Sequence, residues 1–334
     1  MTQATSSSPV QPCLAIIQRA PVFLNLPASV DLAISEIEAA AKEGATIIAF
    51  AECWLPGYPV WLDEAPKAAL WNQEGAKQLY QLLSQNAVVL GDAYLSRLAD
   101  AARRTGCYIL IGSHERRGGT LYNTSFSFAP DGTYIYHRKL VPTYTERLIW
   151  GRGDGSTLKT QETPWGVLGS LICWEHWMPL ARAAMHAQTE AIHIAQWPTV
   201  NDMHQVASRA YAFEGRCFVA AAGCILSKDH VLDGFASLKP DMPQALDILG
   251  SMPPEGSDLI QRGGSALIAP DGRYSVSPVY DREIRLMAPL DLGHLARERQ
   301  ALDSAGHYSR PDIFELSVNT KPQMGVVFKD DETD

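Results

Sequence analysis

No apolar run in this 334-residue chain approaches the ~20 residues that a membrane-crossing helix needs. An excess of positive charge is missing too. The 28 Lys and Arg against 37 Asp and Glu leave a formal net charge of -9, which argues against a broad nucleic-acid or anionic-membrane surface. Cysteine is scarce. Cys13, Cys53, Cys107, Cys173, Cys217 and Cys224 include no Cys-x-x-Cys pair, and they read as reduced thiols of a cytoplasmic protein. The opening MTQATSSSPVQP lacks the basic and apolar regions of a secretory signal, and its composition predicts a disordered lead over residues 1–12. No phosphate-cradling loop is present either. GRGDG (151–155) is rich in glycine but follows no strand and opens no helix.

What is there suits a soluble globular protein. With 46% hydrophobic and 19% charged residues, the chain can bury a large core without staples. Strand-like and helix-like stretches alternate. CLAIIQ (13–18), TIIAF (46–50), CYILIG (107–112), LYNTSFSFAP (121–130) and GTYIYHRK (132–139) read as strands, the last two joined by a Pro-Asp-Gly turn. GVLGSLIC (166–173), AIHIAQ (191–196), CFVAAAG (217–223), GSALIAP (264–270) and EIRLMAPLDL (283–292) continue the series. Helices are expected over 29–44, with Ser29 as N-cap and Gly44 as stop, within 65–104, and over 178–188 and 201–216. This alternation predicts an α/β fold with covered sheets. Residues 224–263 are rich in Asp, Pro and Gly and read as a long loop inserted in the domain, with a lid, a contact or a plain surface role all open. The tail from residue 293 begins helical and turns irregular.

Reactive side chains fall at three strand ends: Glu52 closing TIIAFAE, Lys139 closing GTYIYHRK, and Cys173 closing GVLGSLIC. Sites in α/β folds gather at the carboxyl ends of strands. A carboxylate, an ammonium and a thiol meeting there make coherent chemistry. The thiolate is the nucleophile, a carboxylate can take its proton, and an ammonium can hold negative charge as it develops. Taken singly, each residue has a plainer reading: Cys173 as a core thiol, Glu52 as a cap, Lys139 as a solvated strand end. A metal site from Cys173, His176, His186 and His193 lacks ligand-pair spacing, so no metal is expected.

Together the segments resemble the nitrilase, or carbon–nitrogen hydrolase, superfamily. FAECWLPGYP (50–59) is similar to its glutamate block, HRKLVPTYTERLIWGRGDG (137–155) to its lysine block, and LICWEHWMPLAR (171–182) to its cysteine block. DSAGHYSRPD (303–312) resembles the C-terminal stretch of true nitrilases. Ser170, where many relatives carry Gly or Ala, and Cys53, where Ala or Thr is more usual, are departures. The resemblance implies a four-layer αββα sandwich over 13–292, with the insertion at 224–263 and a C-terminal extension at 293–334 that contacts other subunits. It implies Glu52 as general base, Lys139 as stabiliser, Glu146 as a second positioning glutamate and Cys173 as nucleophile. It implies no cofactor, a small nitrile as partner, and a homo-oligomer of dimers building into spirals. The Cys-Trp-Glu-His run resembles the nitrilase branch. Cyanide hydratase or dihydratase, and amidase or carbamoylase, are the alternatives on the same scaffold. Tyr58, Trp150, Trp174 and Trp197 are candidate pocket walls, with Trp61 and His176 behind them.

Overall fold

The computed structural model describes residues 11–253, 258–323 and 326; the expected lead over 1–12 lies almost wholly outside them, as do parts of the insertion and the tail. Strands β1 (Cys13–Gln18), β2 (Ile47–Phe50), β3 (Tyr108–Arg117), β4 (Thr120–Phe128) and β5 (Tyr134–Arg138) belong to one sheet. Strands β6 (Gln161–Thr163), β7 (Gly166–Ile172), β8 (Glu190–Gln196), β9 (Phe218–Ala222), β10 (Ile225–Ser227), β11 (Leu259–Ile268) and β12 (Tyr274–Tyr280) form the other. Strand β13 (Ile284–Pro289) returns to pair with β1, so the first sheet runs β13-β1-β2-β3-β4-β5. The second runs β10-β11-β9-β8-β7-β6, with β12 beside β11. At the heart of each sheet three strands are parallel, β1-β2-β3 in one and β7-β8-β9 in the other.

Alternate residues sort the layers, because successive side chains leave opposite faces of a strand. On the first sheet, Leu14, Ile16, Ile47, Ala49 and Leu110 pack against Leu168, Ile192, Ile194 and Ala220 of the second. Their neighbours Ala15, Ile17, Ile48, Phe50 and Ile109 face outward, onto α1 (Leu26–Lys42) and α4 (Ala93–Thr105). The outward residues of the second sheet, Leu171, Ala195, Val219 and Ala221, meet α5 (Pro179–His186) and α6 (Asp202–Gly215) through Met185, Ala207, Tyr211 and Ala212. Helix, sheet, sheet, helix is the four-layer sandwich.

Two local expectations are corrected. Helix α1 begins at Leu26, not Ser29. Asn25 is the cap, its side chain accepting the Ala28 N–H, while Ser29 is buried and bonds the Val22 carbonyl. The insertion at 224–263 is not a loop. It holds β10, α7 (Lys228–Ser237), α8 (Pro243–Gly250) and the start of β11. Its helices fill a further apolar cluster with α2 (Trp61–Glu64) and α3 (Glu74–Gln85), through Val231, Phe235, Ala245 and Leu249 against Trp61, Leu79 and Leu83. The tail opens with α9 (Gly293–Arg299) and is irregular from there through residue 323, as its composition predicts.

Candidate active site

The three reactive groups leave the sheets at the ends of β2, β5 and β7. Glu52 lies two residues beyond β2, and its N–H donates to the Trp197 carbonyl just past β8, 3.3 Å away. Lys139 follows β5 directly. Its N–H donates to Asn123 and its carbonyl accepts from Gly153, both at 2.8 Å. Gly153 can approach so closely because a Cβ there would fall 2.1 Å from the Arg138 oxygen. That close approach is one use of the glycine-rich 151–155 stretch. Cys173 follows β7 directly and opens a short 3₁₀ turn, Cys173–Trp177, that leads into α5. It is left-handed, with φ of 53°, a conformation that L-residues hold only when their surroundings over-determine it.

All three side chains are buried, and Lys139 joins them. Its ammonium donates to Glu52 Oε1 at 2.8 Å and to Glu146 at 2.9 and 2.7 Å. Glu146, on the 3₁₀ turn Tyr144–Leu148, also accepts from the Tyr58 hydroxyl at 2.9 Å and the Thr143 N–H at 2.6 Å. Asn123 donates to Glu52 Oε1 at 2.7 Å, whereas Oε2 has no hydrogen-bond partner among the described residues. The Cys173 sulfur and one oxygen from each of Glu52 and Glu146 lie within 4.8 Å of one another. This is the one group of three metal-type donors among the described residues. The Lys139 ammonium already bridges its carboxylates, so an added cation would meet a like charge.

Burial sets the proton positions. It pushes the Glu52 carboxyl up to about 7, with the charge of Glu146 acting the same way and that of Lys139 opposing. Burial also pushes the Cys173 thiol well up, helped by Glu52 and resisted by Lys139. Burial lowers the Lys139 ammonium, but the charges of Cys173, Glu52 and Glu146 outweigh it and hold it well above its ordinary value. The resting site therefore holds a protonated thiol beside a carboxylate poised near neutrality, which is the arrangement of a base waiting for its proton.

The carbon–nitrogen hydrolase family model matches residues 13–300. The chain belongs to the carbon–nitrogen hydrolase family. A nitrilase from Pseudomonas syringae pv. syringae is 40% identical over 94% of this chain and 91% of its own length. An aliphatic nitrilase from Sinorhizobium fredii is 38% identical over 94% and 97%. Among solved structures, yeast Nit3, described as a member of branch 10 of the nitrilase superfamily, aligns with a TM-score of 0.64 at 17% identity, over 91% of this chain and 99% of its own. At that identity the likeness speaks for the fold, and the fold is the one reached above.

Within this carbon–nitrogen hydrolase, sequence reasoning missed the residues that hold the trio in register. Glu175 is the chief of them. Its Oε1 accepts the Leu140 N–H and its Oε2 the Ile172 N–H, each at 2.7 Å. Both oxygens also lie 3.0 Å from His137 Nε2, whose Nδ1 faces the Thr157 carbonyl at 3.1 Å. One carboxylate thus ties the residue after Lys139 to the residue before Cys173. An acid inside an apolar run was the only signal available.

The predicted pocket walls separate. Tyr58 and Trp150 are together, with ring centroids 5.8 Å apart. The Trp150 indole N–H donates to His114 Nδ1 at 3.0 Å, and His114 Nε2 meets the Gly57 carbonyl at 2.9 Å. His114 stays neutral, since burial lowers it to about 4. Trp174 is 52% exposed and lines an apolar cleft of about 760 Å³ with Val141, Pro142, Tyr144, Trp177 and Met178. Trp197 is fully buried. It stacks on His176 and His204 and donates to the Ser208 hydroxyl, and its carbonyl holds Glu52. It belongs to the packing behind the nucleophile, whereas Trp61 is buried in the separate cluster that α2 and α3 form with the insertion helices.

Proposed function

We propose that this carbon–nitrogen hydrolase is a nitrilase, converting a nitrile to the carboxylic acid and ammonia. The observation that carries the reading is the buried Cys173 thiol beside Glu52, with Lys139 bridging Glu52 to Glu146. Identity of 33–40% to named nitrilases over nearly the whole chain supports the same reaction class.

The thiol gives its proton to Glu52 as sulfur adds to the nitrile carbon, and Glu52 passes that proton to the nitrogen, leaving a covalent thioimidate and a free carboxylate. Lys139 offsets negative charge as it develops on the substrate. Water, losing a proton to Glu52, adds to the thioimidate carbon. Proton transfer to nitrogen then releases ammonia and leaves an acyl-enzyme. A second water frees the acid and restores the thiol. If the tetrahedral intermediate expels sulfur instead of nitrogen, an amide is released. Glu146 and Tyr58 hold Lys139 in place, Trp150 walls the inner site, and the cleft beside Trp174 takes the apolar body of the substrate.

Because Glu52 must be ionised to accept the thiol proton, kcat/KM is expected to rise with pH and reach half its plateau near pH 7, where burial places the Glu52 carboxyl. A pH profile on a neutral nitrile checks this. Ammonia release from benzonitrile, phenylacetonitrile, an aliphatic dinitrile, cyanide and the matching amides tests the function itself. Turnover of nitriles is expected, and turnover of amides alone would assign the chain to the amidase side of the family. We further place the protein in the cytoplasm as a homo-oligomer. Its six cysteines carry no disulfide, and Leu180, Met203, Val206 and Phe213 leave an exposed apolar face on α5 and α6.

A further inference from the structure

Behind the nucleophile lies a line of polar groups that the reaction above does not use. Glu190 opens β8, His193 lies three residues on, and His176 belongs to the 3₁₀ turn that starts at Cys173; all three are buried in the core. Glu190 Oε1 is 2.8 Å from His193 Nδ1. His193 Nε2 is 3.0 Å from His176 Nε2, and His176 Nδ1 is 2.7 Å from the Cys173 carbonyl oxygen. The Tyr211 hydroxyl donates to the other Glu190 oxygen at 2.5 Å, and its ring stacks on His193. The second sheet leaves space for this line. A Cβ on Gly169 would fall 1.7 Å from Glu190 Oε1.

Counting protons fixes its state. The Cys173 carbonyl can only accept, so the line of three contacts needs three protons. Two neutral imidazoles bring two. The third sits either on the second imidazole, giving an imidazolium opposite the Glu190 carboxylate, or on the Glu190 carboxyl itself. The total is the same in both, and the net charge is zero in both, which suits a site closed to water.

We infer that Glu190, His193 and His176 form a proton-filled relay that clamps the Cys173 carbonyl and so holds the nucleophile's left-handed turn. They are positioning residues. The relay rests on the nitrilase reading only for the role of Cys173. Without the His193 N–H, nothing holds the His176 proton on Nδ1 or keeps the ring in place, so the clamp on the carbonyl loosens, the turn relaxes toward the right-handed region, and the sulfur swings away from Glu52 and Lys139.

The test contrasts three proteins. Glu190→Gln keeps every link: its amide N–H donates to His193 Nδ1, its oxygen accepts from Tyr211, and both imidazoles are neutral with their protons directed toward Cys173. His193→Phe keeps the ring against Tyr211 and removes two links. For Glu190→Gln, kcat is expected within about threefold of the parent; for His193→Phe it is expected to fall about tenfold or more, with KM little changed. A residue that merely supports the fold would lower Tm and leave kcat per folded molecule intact. Equal losses in both variants, or full kcat in His193→Phe, would overturn the relay. Should His193→Phe not fold, ¹⁵N-histidine NMR of the parent decides. A proton on His176 Nδ1 is expected, and a bare Nδ1 refutes the clamp. A parent that hydrolyses no nitrile would sink the nitrilase reading and leave the NMR result standing.

Discussion

Cys173→Ala is expected to lose nitrile turnover by at least about 10⁴-fold, with a change in stability of no more than about 1–2 kcal/mol. The two effects part because the thiol does chemistry that no neighbour can supply, whereas its packing is modest. Alanine retains the Cβ, and the carbonyl that His176 bonds belongs to the backbone. Cys53, the residue after Glu52, cannot stand in. Burial pushes it well up, the Glu52 charge adds to that, and it occupies its own left-handed turn beyond β2. Ammonia release and a thermal melt on the same preparation check both halves. Intact mass after brief exposure to nitrile should show the parent carrying an adduct that the variant lacks. Equal turnover in the two proteins would remove Cys173 from the reaction.

The trio was legible because each member sits where a strand-like run stops, and such ends are visible in sequence. The four layers came only through the resemblance, not from the residue pattern itself. Every residue of β2, β8 and β9 is buried, so Ala49 and Ile48 look alike although one faces the other sheet and one faces the helices. The insertion was misread for a related reason. Pro243 opens α8, while Asp233, Gly234 and Asp247 lie inside the two short helices, so residues that usually punctuate loops are here built into helices. The pocket walls were legible only as aromatic residues near the motifs. Whether a tryptophan lines a cleft, as Trp174 does, or seals the core, as Trp197 does, depends on contacts from α6 that no local pattern carries. Glu175 shows the limit most clearly: its partner Leu140 is 35 residues away, just past the end of a strand of the other sheet.

Replacing Glu175 is expected to be costly whatever takes its place. Glu175→Ala leaves the N–H groups of Leu140 and Ile172 without their acceptor and the His137 ring without its counter-charge, all in a buried site. Breaking such a pair costs about 3–5 kcal/mol, and kcat is expected to fall on the order of 10²-fold as the ends of β5 and β7 lose register. Glu175→Gln should fare little better. Each carboxylate oxygen already accepts a backbone N–H, so the amide nitrogen of glutamine must face one of those donors. That is the opposite of Glu190, whose two oxygens face one hydroxyl and one ring nitrogen that can exchange roles. The dependence on pH follows from both partners. Burial raises Glu175, but the His137 charge and the N–H donors outweigh it and hold the carboxyl below its ordinary 4.5. Its contribution is therefore present above that value and lost as pH falls through the lower one. Burial lowers His137, but the Glu175 charge outweighs it and holds the ring above its ordinary 6.5, so this contribution is full below 6.5 and fades as pH rises through the higher value. The stability gap between parent and Glu175→Gln, read from urea melts across pH, should thus be widest between about 4.5 and 6.5 and narrow on either side. A gap that stayed flat with pH would mean that Glu175 and His137 meet as neutral groups, and the tie between the lysine and cysteine strands would then rest on the two backbone N–H bonds alone.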